Sequence, residues 1–439
     1  MLKKTLYLYS LKEVFTPNTV AKATYVKRDN LEKDFIRDLE QPGRAIILYG
    51  HTGSGKTTLV RNVIRNKNNF VQISCGRDTT FNDILCGIID QLSLFYISSQ
   101  KTTVKYSLSK SIKSDFKKVA AELKSNKELG IEESAKRMVD PQITPQKIAQ
   151  FLGEMKAILI LEDFHKVKDE EKTKLADCIK IFVDAANDYP ETKVICIGAV
   201  DSPREMIEQG ADLYPRVSEI QVPMLSDEEL KSLIIKGCHV LNIEMSERLI
   251  NKIVFYSNNI ASLAHGMCYD ICFYNNISRR RLRKTRINDD NFKYAVDAFI
   301  NRNSDSLKKI YDLNTRNRLG WHILKALLNG NDSMSIDAIV AKIPQNKYQK
   351  KDVEKKLQDL ASEEIRIIRY DKILQSYAIS TPFWGAFLKM KFQLEEEQEK
   401  KNQQNKNNHD LKILDATEFD SMVLRSFKEL LDKLEKYSL

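Results

Sequence analysis

A glycine-rich string beginning at Gly50 carries the first candidate functional side chains. Gly50-His51-Thr52-Gly53-Ser54-Gly55-Lys56-Thr57, with Thr58 next, matches G-x-x-x-x-G-K-[ST]. The chemistry of this pattern is polyphosphate binding. Glycines let the backbone turn successive N–H groups toward an anion, and a helix opening near Lys56 adds its positive dipole end. Lys56 then reaches the β- and γ-phosphates of ATP, and the Thr57 hydroxyl ligates Mg²⁺. Such a loop works only between a strand and a helix. Ala45 to Tyr49 is a short apolar run that reads as a buried strand, and Lys56 to Asn66 has a helical pattern. The bland alternative, a glycine-rich turn without function, does not need those two flanking elements.

A second feature is Ile158-Leu159-Ile160-Leu161 running into Glu162 and Asp163. Four apolar residues make a central strand, and the two carboxylates stand at its C-terminal end beside the phosphate loop. One carboxylate belongs in the Mg²⁺ shell and the other polarises the attacking water. By position, Glu162 is the magnesium-side residue and Asp163 the water-side residue. The usual first acid is Asp, and Glu162 is one methylene longer, so efficient hydrolysis is not expected. An acidic strand end arising by chance is the competing reading.

The elements that position these residues alternate in type. Phe70 to Ser74 and Val194 to Gly198 read as further strands, with helical patterns over Thr80 to Phe95 and Asp169 to Asn187. Strands alternating with helices imply a parallel sheet covered on both faces. Residues 97–140 are rich in Lys, Ser and Glu and read as an insertion on this core. From Ser226 the strand signals stop, and Asp227 to Leu241, Ser246 to Ser257, Ile260 to Asn275 and Asn288 to Ile300 read as helices. After a linker over 301–318 come helices at Gly320 to Leu328, Ser335 to Ile343 and Asp352 to Glu363, then strands at Ile365 to Tyr370 and Ser376 to Ile379. Three helices and a hairpin is the order of a winged-helix domain. Residues 395–410 read as a charged linker, and Ile413 to Leu434 as an amphipathic terminal helix that docks on its own chain or on a partner.

This order of parts resembles an AAA+ ATPase, in the branch that holds origin-recognition subunits, transposition regulators and the STAND signal-transducing ATPases. The strings that carry it are Gly50 to Thr57, Leu161-Glu-Asp-Phe-His165, Lys193 to Gly198, and Asp212-Leu-Tyr-Pro-Arg216 followed by Val217 to Pro223. The resemblance covers roughly residues 15–300, and the winged helix extends it to about 390. It implies an α/β fold: a three-layer P-loop AAA+ core with a helical lid, then an α+β winged-helix domain and a C-terminal helix. The expected parts are a lead-in and adenine-side segment at 1–44, the ATPase core at 45–224, the lid at 225–300, the linker at 301–318, the winged helix at 319–392, and the charged linker and terminal helix at 393–439. Further roles come residue by residue. Tyr25-Val26-Lys27-Arg28 resembles the segment that lines the adenine pocket. Asp201 or Ser202 falls in the sensor region. Arg216 sits where such proteins place an arginine finger for a neighbouring subunit, with Arg204 as a rival and a surface arginine pairing with Glu219 or Asp212 as the alternative. The lid departs from the family. Asn258 to Leu263 stands where many members carry a sensor arginine; the nearest polar replacement is His265, with a buried or capping histidine as the alternative reading. Slow turnover fits a switch better than a cycling motor.

The net charge of +10 comes from 70 basic and 60 acidic residues. Arg279-Arg280-Arg281-Leu282-Arg283-Lys284-Thr285-Arg286 places six basic side chains in eight positions between two lid helices. Phosphate contacts there would make nucleic-acid binding salt-dependent. A solvated loop paired with Asp289 and Asp290 is the alternative. The third helix of the winged-helix pattern exposes Lys355, Lys356, Gln358 and Asp359, a mixed set that suits DNA or protein contact.

Composition excludes other classes. Hydrophobic residues at 42% suffice for a sizeable core, and the longest apolar runs, Ala157 to Leu161 and Val194 to Val200, are far short of a membrane span. Met1-Leu2-Lys3-Lys4 is followed by no apolar signal region, so a cytoplasmic protein without membrane contact is expected. Seven cysteines without C-x-x-C spacing read as reduced, buried thiols; Cys268 and Cys272 with His265 lack a full metal-ligand set. The expected function is an ATP-binding, slowly hydrolysing oligomeric switch that self-associates and acts on a protein effector, with prokaryotic anti-phage defence as one setting. Two rivals stand beside it: a DNA-binding initiator or transposition regulator, and a nucleotide-stabilised scaffold with little hydrolysis.

Overall fold

Residues Ala45–Tyr49 (β1), Phe70–Ser74 (β2), Ile158–Glu162 (β3), Lys193–Ile197 (β4) and Val217–Gln221 (β5) form one parallel sheet in the order β2-β3-β4-β1-β5. These observations come from a computed structural model that describes residues 9–66, 69–92, 144–199, 211–330, 333–344 and 347–400. The insertion at 97–140, the residues Asp201, Ser202 and Arg204, and the terminal amphipathic helix lie outside the described residues.

The strands are apolar on both sides because both sides are covered. Ala45 and Ile47 face one layer with Leu159, Leu161 and Cys196, against α4 (Phe81–Gln91), α5 (Pro145–Glu154) and α6 (Asp169–Asp184). Ile46 and Leu48 face the other with Ile160, Ile195 and Ile197, against α2 (Asp29–Glu40) and α3 (Lys56–Val63). Alternate residues therefore serve opposite faces, as the pleat requires. The expected core strands are found; two core elements were not legible, and the region after Ser226, expected to be helical up to Ile300, also holds a two-stranded parallel pair at Ile243–Met245 and Thr285–Ile287, three residues each and too short to show a strand pattern. Strand β5 carries Ser218, Glu219 and Gln221 and is an edge strand with one exposed side, so it lacks a continuous apolar run. Helix α5 is short, with Gly153 packed so closely on Tyr189 that a Cβ would lie 2.2 Å from the ring.

The chain divides into two compact units between Ala295 and Val296. In the first, the lid follows the sheet: α7 (Asp227–Leu241), β6 (Ile243–Met245), α8 (Glu247–Ser257), α9 (Ala261–Tyr274) and β7 (Thr285–Ile287), and α10 (Phe292–Arg302) runs across the division. Ser226 caps α7 by accepting from the Glu229 N–H, and Asn242 ends it at φ 57°. The lead-in belongs to this unit too. Its short helix α1 (Leu11–Val14) runs beside the lid, Leu11 N–H donates to the Ser278 carbonyl, and Phe15 is fully buried against Gly237.

In the second unit, the stretch read as a linker over 301–318 is helical over much of its length. A π-turn at Ser304–Lys308 leads into α11 (Lys309–Thr315), held by the buried Tyr311, whose hydroxyl donates to Glu395. Its sequence hid it, since Leu307 and Tyr311 are the buried apolar residues over 304–315, too few to show a helical period. Helices α12 (Leu319–Leu328), α13 (Ile336–Lys342) and α14 (Lys350–Ala361) precede the antiparallel pair β8 (Ile368–Asp371) and β9 (Ser376–Ile379). Residues 382–400 then form a helix, over part of the stretch expected to be a charged linker.

Candidate functional site: a phosphate loop between sheet and lid

Strand β1 ends at Tyr49, and the loop that follows turns on three glycines with positive φ: Gly50 at 136°, Gly53 at 87° and Gly55 at 91°. At Gly50 a side chain has no room, because a Cβ would lie 2.4 Å from the Val222 carbonyl oxygen. Helix α3 then opens at Lys56, which places its first N–H groups and its dipole at the loop.

Lys56 is buried, and its ammonium donates to the Gly50 and His51 carbonyls at 2.7 and 2.8 Å. Burial pushes its pKa down to about 8, against the opposing pull of the Asp163 carboxylate. The Ser54 hydroxyl is fully buried and has no hydrogen-bond partner in the protein. A glycine cradle, a desolvated ammonium and an orphaned hydroxyl suit a bound anion.

The loop opens on a cleft of about 550 Å³. Its walls include Thr52 to Thr58, Glu162, Asp163, Tyr25, Val26, and Ala261, Ser262 and His265 of the lid. The structure thus brings the phosphate loop, both strand-end carboxylates, Tyr25 and Val26 to one cavity. Thr57 with Glu162 and Asp163 offers hard oxygen donors of the kind that hold Mg²⁺ together with phosphate oxygens.

Asp163 sits just past β3 with a left-handed φ of 56°, and its Oδ2 accepts from the Lys166 ammonium at 2.6 Å. Two residues on, His165 Nδ1 accepts from the Ala199 N–H at 3.1 Å, which leaves the other ring nitrogen as the donor. Burial lowers the His165 pKa, and it is neutral at pH 7.

Sequence reasoning missed Arg28 as an architectural group. Its guanidinium donates to the Ser54 carbonyl at 2.6 Å and to the Pro223 carbonyl at 2.8 Å. Glu32, buried, accepts from the Tyr25 hydroxyl at 2.7 Å and from the Arg28 N–H at 3.2 Å. The acid four residues after Arg28 was the available signal, since a buried Glu needs such donors.

His265 lines the cleft from the lid and is also an anchor. It is buried, its Nδ1 accepts from the Thr16 N–H at 3.1 Å, and burial pushes its pKa down to about 4. It fastens the lead-in to the lid. Cys268 and Cys272 are free, buried thiols, and burial raises both well above the ordinary range.

Arg216 lies at the start of β5, beside the start of β1, at the opposite end of the sheet from the phosphate loop. It pairs with Asp184 at the end of α6, in place of the Glu219 or Asp212 weighed from the sequence. The basic cluster is not one free loop. Arg280 donates to the His239 and Val240 carbonyls at the end of α7, Arg281 donates to the Asn276 carbonyl, and Lys284 and Arg286 pair with Glu244, in place of Asp289 and Asp290. Thr285 to Ile287 forms a parallel pair with β6. Arg279 and Arg283 remain with exposed side chains.

No curated protein matches the chain. Among solved structures it is similar to the Walker-type ATPase of Pyrococcus abyssi, with 16% identity, 83% of this chain and 96% of that chain covered, and a TM-score of 0.49. It is similar to the ORC2 protein of Aeropyrum pernix in its ADPNP–ADP complexes, with 12% identity, 87% and 97% covered, and a TM-score of 0.49. For the RuvB Holliday junction branch migration motor of Thermotoga maritima the figures are 13% identity, 83% and 95% covered, and a TM-score of 0.41. Residues 39–200 match the model of an AAA domain. The glycine loop and strands β1 to β4 lie inside that match and β5 follows it; the five-stranded parallel sheet, covered by helices on both faces, has the layout of a P-loop AAA+ core.

Proposed function

We propose that this protein binds ATP with Mg²⁺ at the Gly50 to Thr58 loop, hydrolyses it slowly, and acts as a nucleotide-dependent oligomeric switch on a protein partner. The observation that carries the reading is the buried Lys56 ammonium held under a loop of three positive-φ glycines, in one cleft with Glu162 and Asp163. Lys56 and the loop N–H groups bind the phosphates. Thr57 and Glu162 hold the Mg²⁺, which when bound neutralises phosphate charge. Asp163 orients the water and accepts its proton through the oxygen that Lys166 does not occupy. Tyr25 and Val26 lie against the base.

Slow turnover is supported by the Lys166 contact on Asp163 and by the absence of an arginine from the lid segment Asn258 to Leu263. Arg216, paired on the outer end of the sheet, is the finger of this reading, offered to a second copy. The effector is another polypeptide, with anti-phage defence as one setting. DNA binding, in a replication initiator or transposition regulator, is the second reading. It is favoured by one observation, three helices followed by an antiparallel hairpin, the order of a winged helix. The scaffold reading differs from the first only in rate.

Mass photometry of the purified chain tests the switch, and steady-state phosphate release separates it from the scaffold. A shift to larger species with ATP and Mg²⁺, but not with ADP, is the expected result. The same distribution under all nucleotide conditions would overturn the switch.

A further inference from the structure

We propose that Arg28 is a positioning residue that couples the phosphate loop to the connection between sheet and lid, by holding the Ser54 and Pro223 carbonyls at once. The inference rests on the nucleotide reading above and deepens it. Pro223 lies between the end of β5 at Gln221 and the start of α7 at Asp227, so it is part of the segment on which the lid is hung. Ser54 lies at the turn of the phosphate loop.

The geometry gives the coupling a direction. In a trans peptide the carbonyl and the following N–H point opposite ways. Arg28 Nη2 takes the Ser54 carbonyl at 2.6 Å, so the Gly55 N–H is aimed away from the guanidinium. That N–H is among the donors a phosphate loop offers to an anion. Gly55 makes the approach feasible, since a Cβ there would lie 3.1 Å from Nη2. The other end of the fork takes the Pro223 carbonyl at 2.8 Å. Beside it, Val222 N–H donates to the Tyr49 carbonyl at 2.8 Å, and the Val222 carbonyl crowds Gly50. The hinge segment thus touches the loop at its first glycine and, through Arg28, at its last.

A planar guanidinium can serve two carbonyls with fixed geometry, whereas a single ammonium on a flexible stem cannot hold both in the same way. Arg28 is itself oriented by Glu32, which accepts from its backbone N–H at 3.2 Å. An anion that fixes the Ser54–Gly55 peptide therefore also fixes Pro223, and a displaced hinge loosens the loop. Such coupling is reciprocal.

The test is hydrogen exchange on the full chain, with and without ADP and Mg²⁺, for wild type, Arg28→Ala and Arg28→Lys, with ADP affinity measured by calorimetry. In wild type, ADP is expected to slow exchange both in the loop, His51 to Thr58, and in the hinge, Met224 to Leu230. Both variants are expected to bind ADP about tenfold more weakly, with the loop still protected and the hinge no longer responding. Hinge protection equal to wild type in Arg28→Lys would overturn the coupling, even if affinity falls. Should Arg28→Ala not fold, Arg28→Lys carries the test, since it keeps the charge and loses the fork. If wild type itself binds no nucleotide, the nucleotide reading fails and this inference fails with it.

Discussion

Lys166 Nζ lies 2.6 Å from Asp163 Oδ2, three residues apart on the turn that follows the central strand. The carboxylate to which the proposed function gives the water's proton is thus already partnered. Both side chains are about half exposed, so the contact is weak and salt-screened. In the proposed reading it is a brake of modest strength on the hydrolytic step. Lys166→Ala is expected to raise ATP turnover by up to about fivefold, as the loss of an exposed ion pair allows. Asp163→Asn is expected to lower turnover by about a hundredfold or more while nucleotide affinity is kept. Steady-state phosphate release checks both. Equal rates in wild type and Asp163→Asn would remove Asp163 from the chemistry.

Lys56 makes nucleotide affinity depend on alkaline pH. In the free protein burial holds its pKa at about 8. A bound phosphate favours the charged form, so the complex has the higher pKa and takes up a proton where the free protein has lost one. Affinity is therefore expected to be flat below about pH 8 and to fall by about tenfold per unit above it. Calorimetry at pH 7 and pH 9, in buffers of different ionisation heat, reads both the affinity and the proton uptake.

Arg216 and Asp184 set up a choice between assembly and fold. If Arg216 reaches a second copy's γ-phosphate, Arg216→Ala abolishes the ATP-dependent shift to larger species and lowers turnover by about 10³-fold. Stability is expected to change by less than about 1 kcal/mol, because the pair with Asp184 is partly exposed. A stable variant with unchanged assembly and turnover would confine Arg216 to its own chain.

The basic cluster divides by role. Arg280→Ala removes two contacts to the end of α7 and is expected to cost about 1–3 kcal/mol of stability. Arg283→Ala is expected to leave stability within about 0.5 kcal/mol. If the protein binds DNA through this face, Arg279→Ala with Arg283→Ala reduces the salt dependence of binding by about two counterions, as fluorescence anisotropy across a salt series reads.

The core was legible because its signals are local. Ala45 to Tyr49 is apolar without interruption, as a strand buried on both faces must be, and the glycine loop follows at once. Glu162 and Asp163 are found beside that loop because a parallel sheet brings strand ends to one edge. What stayed hidden depends on contacts far apart in sequence. Arg280 reads as one more basic residue until it is seen on the α7 carbonyls, 40 positions away. His265 reads equally as a polar substitute for an arginine or as a buried histidine until its Nδ1 is found on Thr16, 249 positions away. Arg28 was placed on the adenine side by its neighbours, while its two carbonyl partners lie 26 and 195 positions away.

Nucleotide binding through Lys56 is the claim on which the rest depends, and titration calorimetry with ATP and Mg²⁺ on wild type and Lys56→Ala tests it most directly. A saturable one-site isotherm in wild type, weakened by about ten- to a hundredfold in Lys56→Ala, is the expected result, since a charged donor to phosphate is lost. Equal affinity in the two proteins, or no heat of binding in wild type, would contradict it.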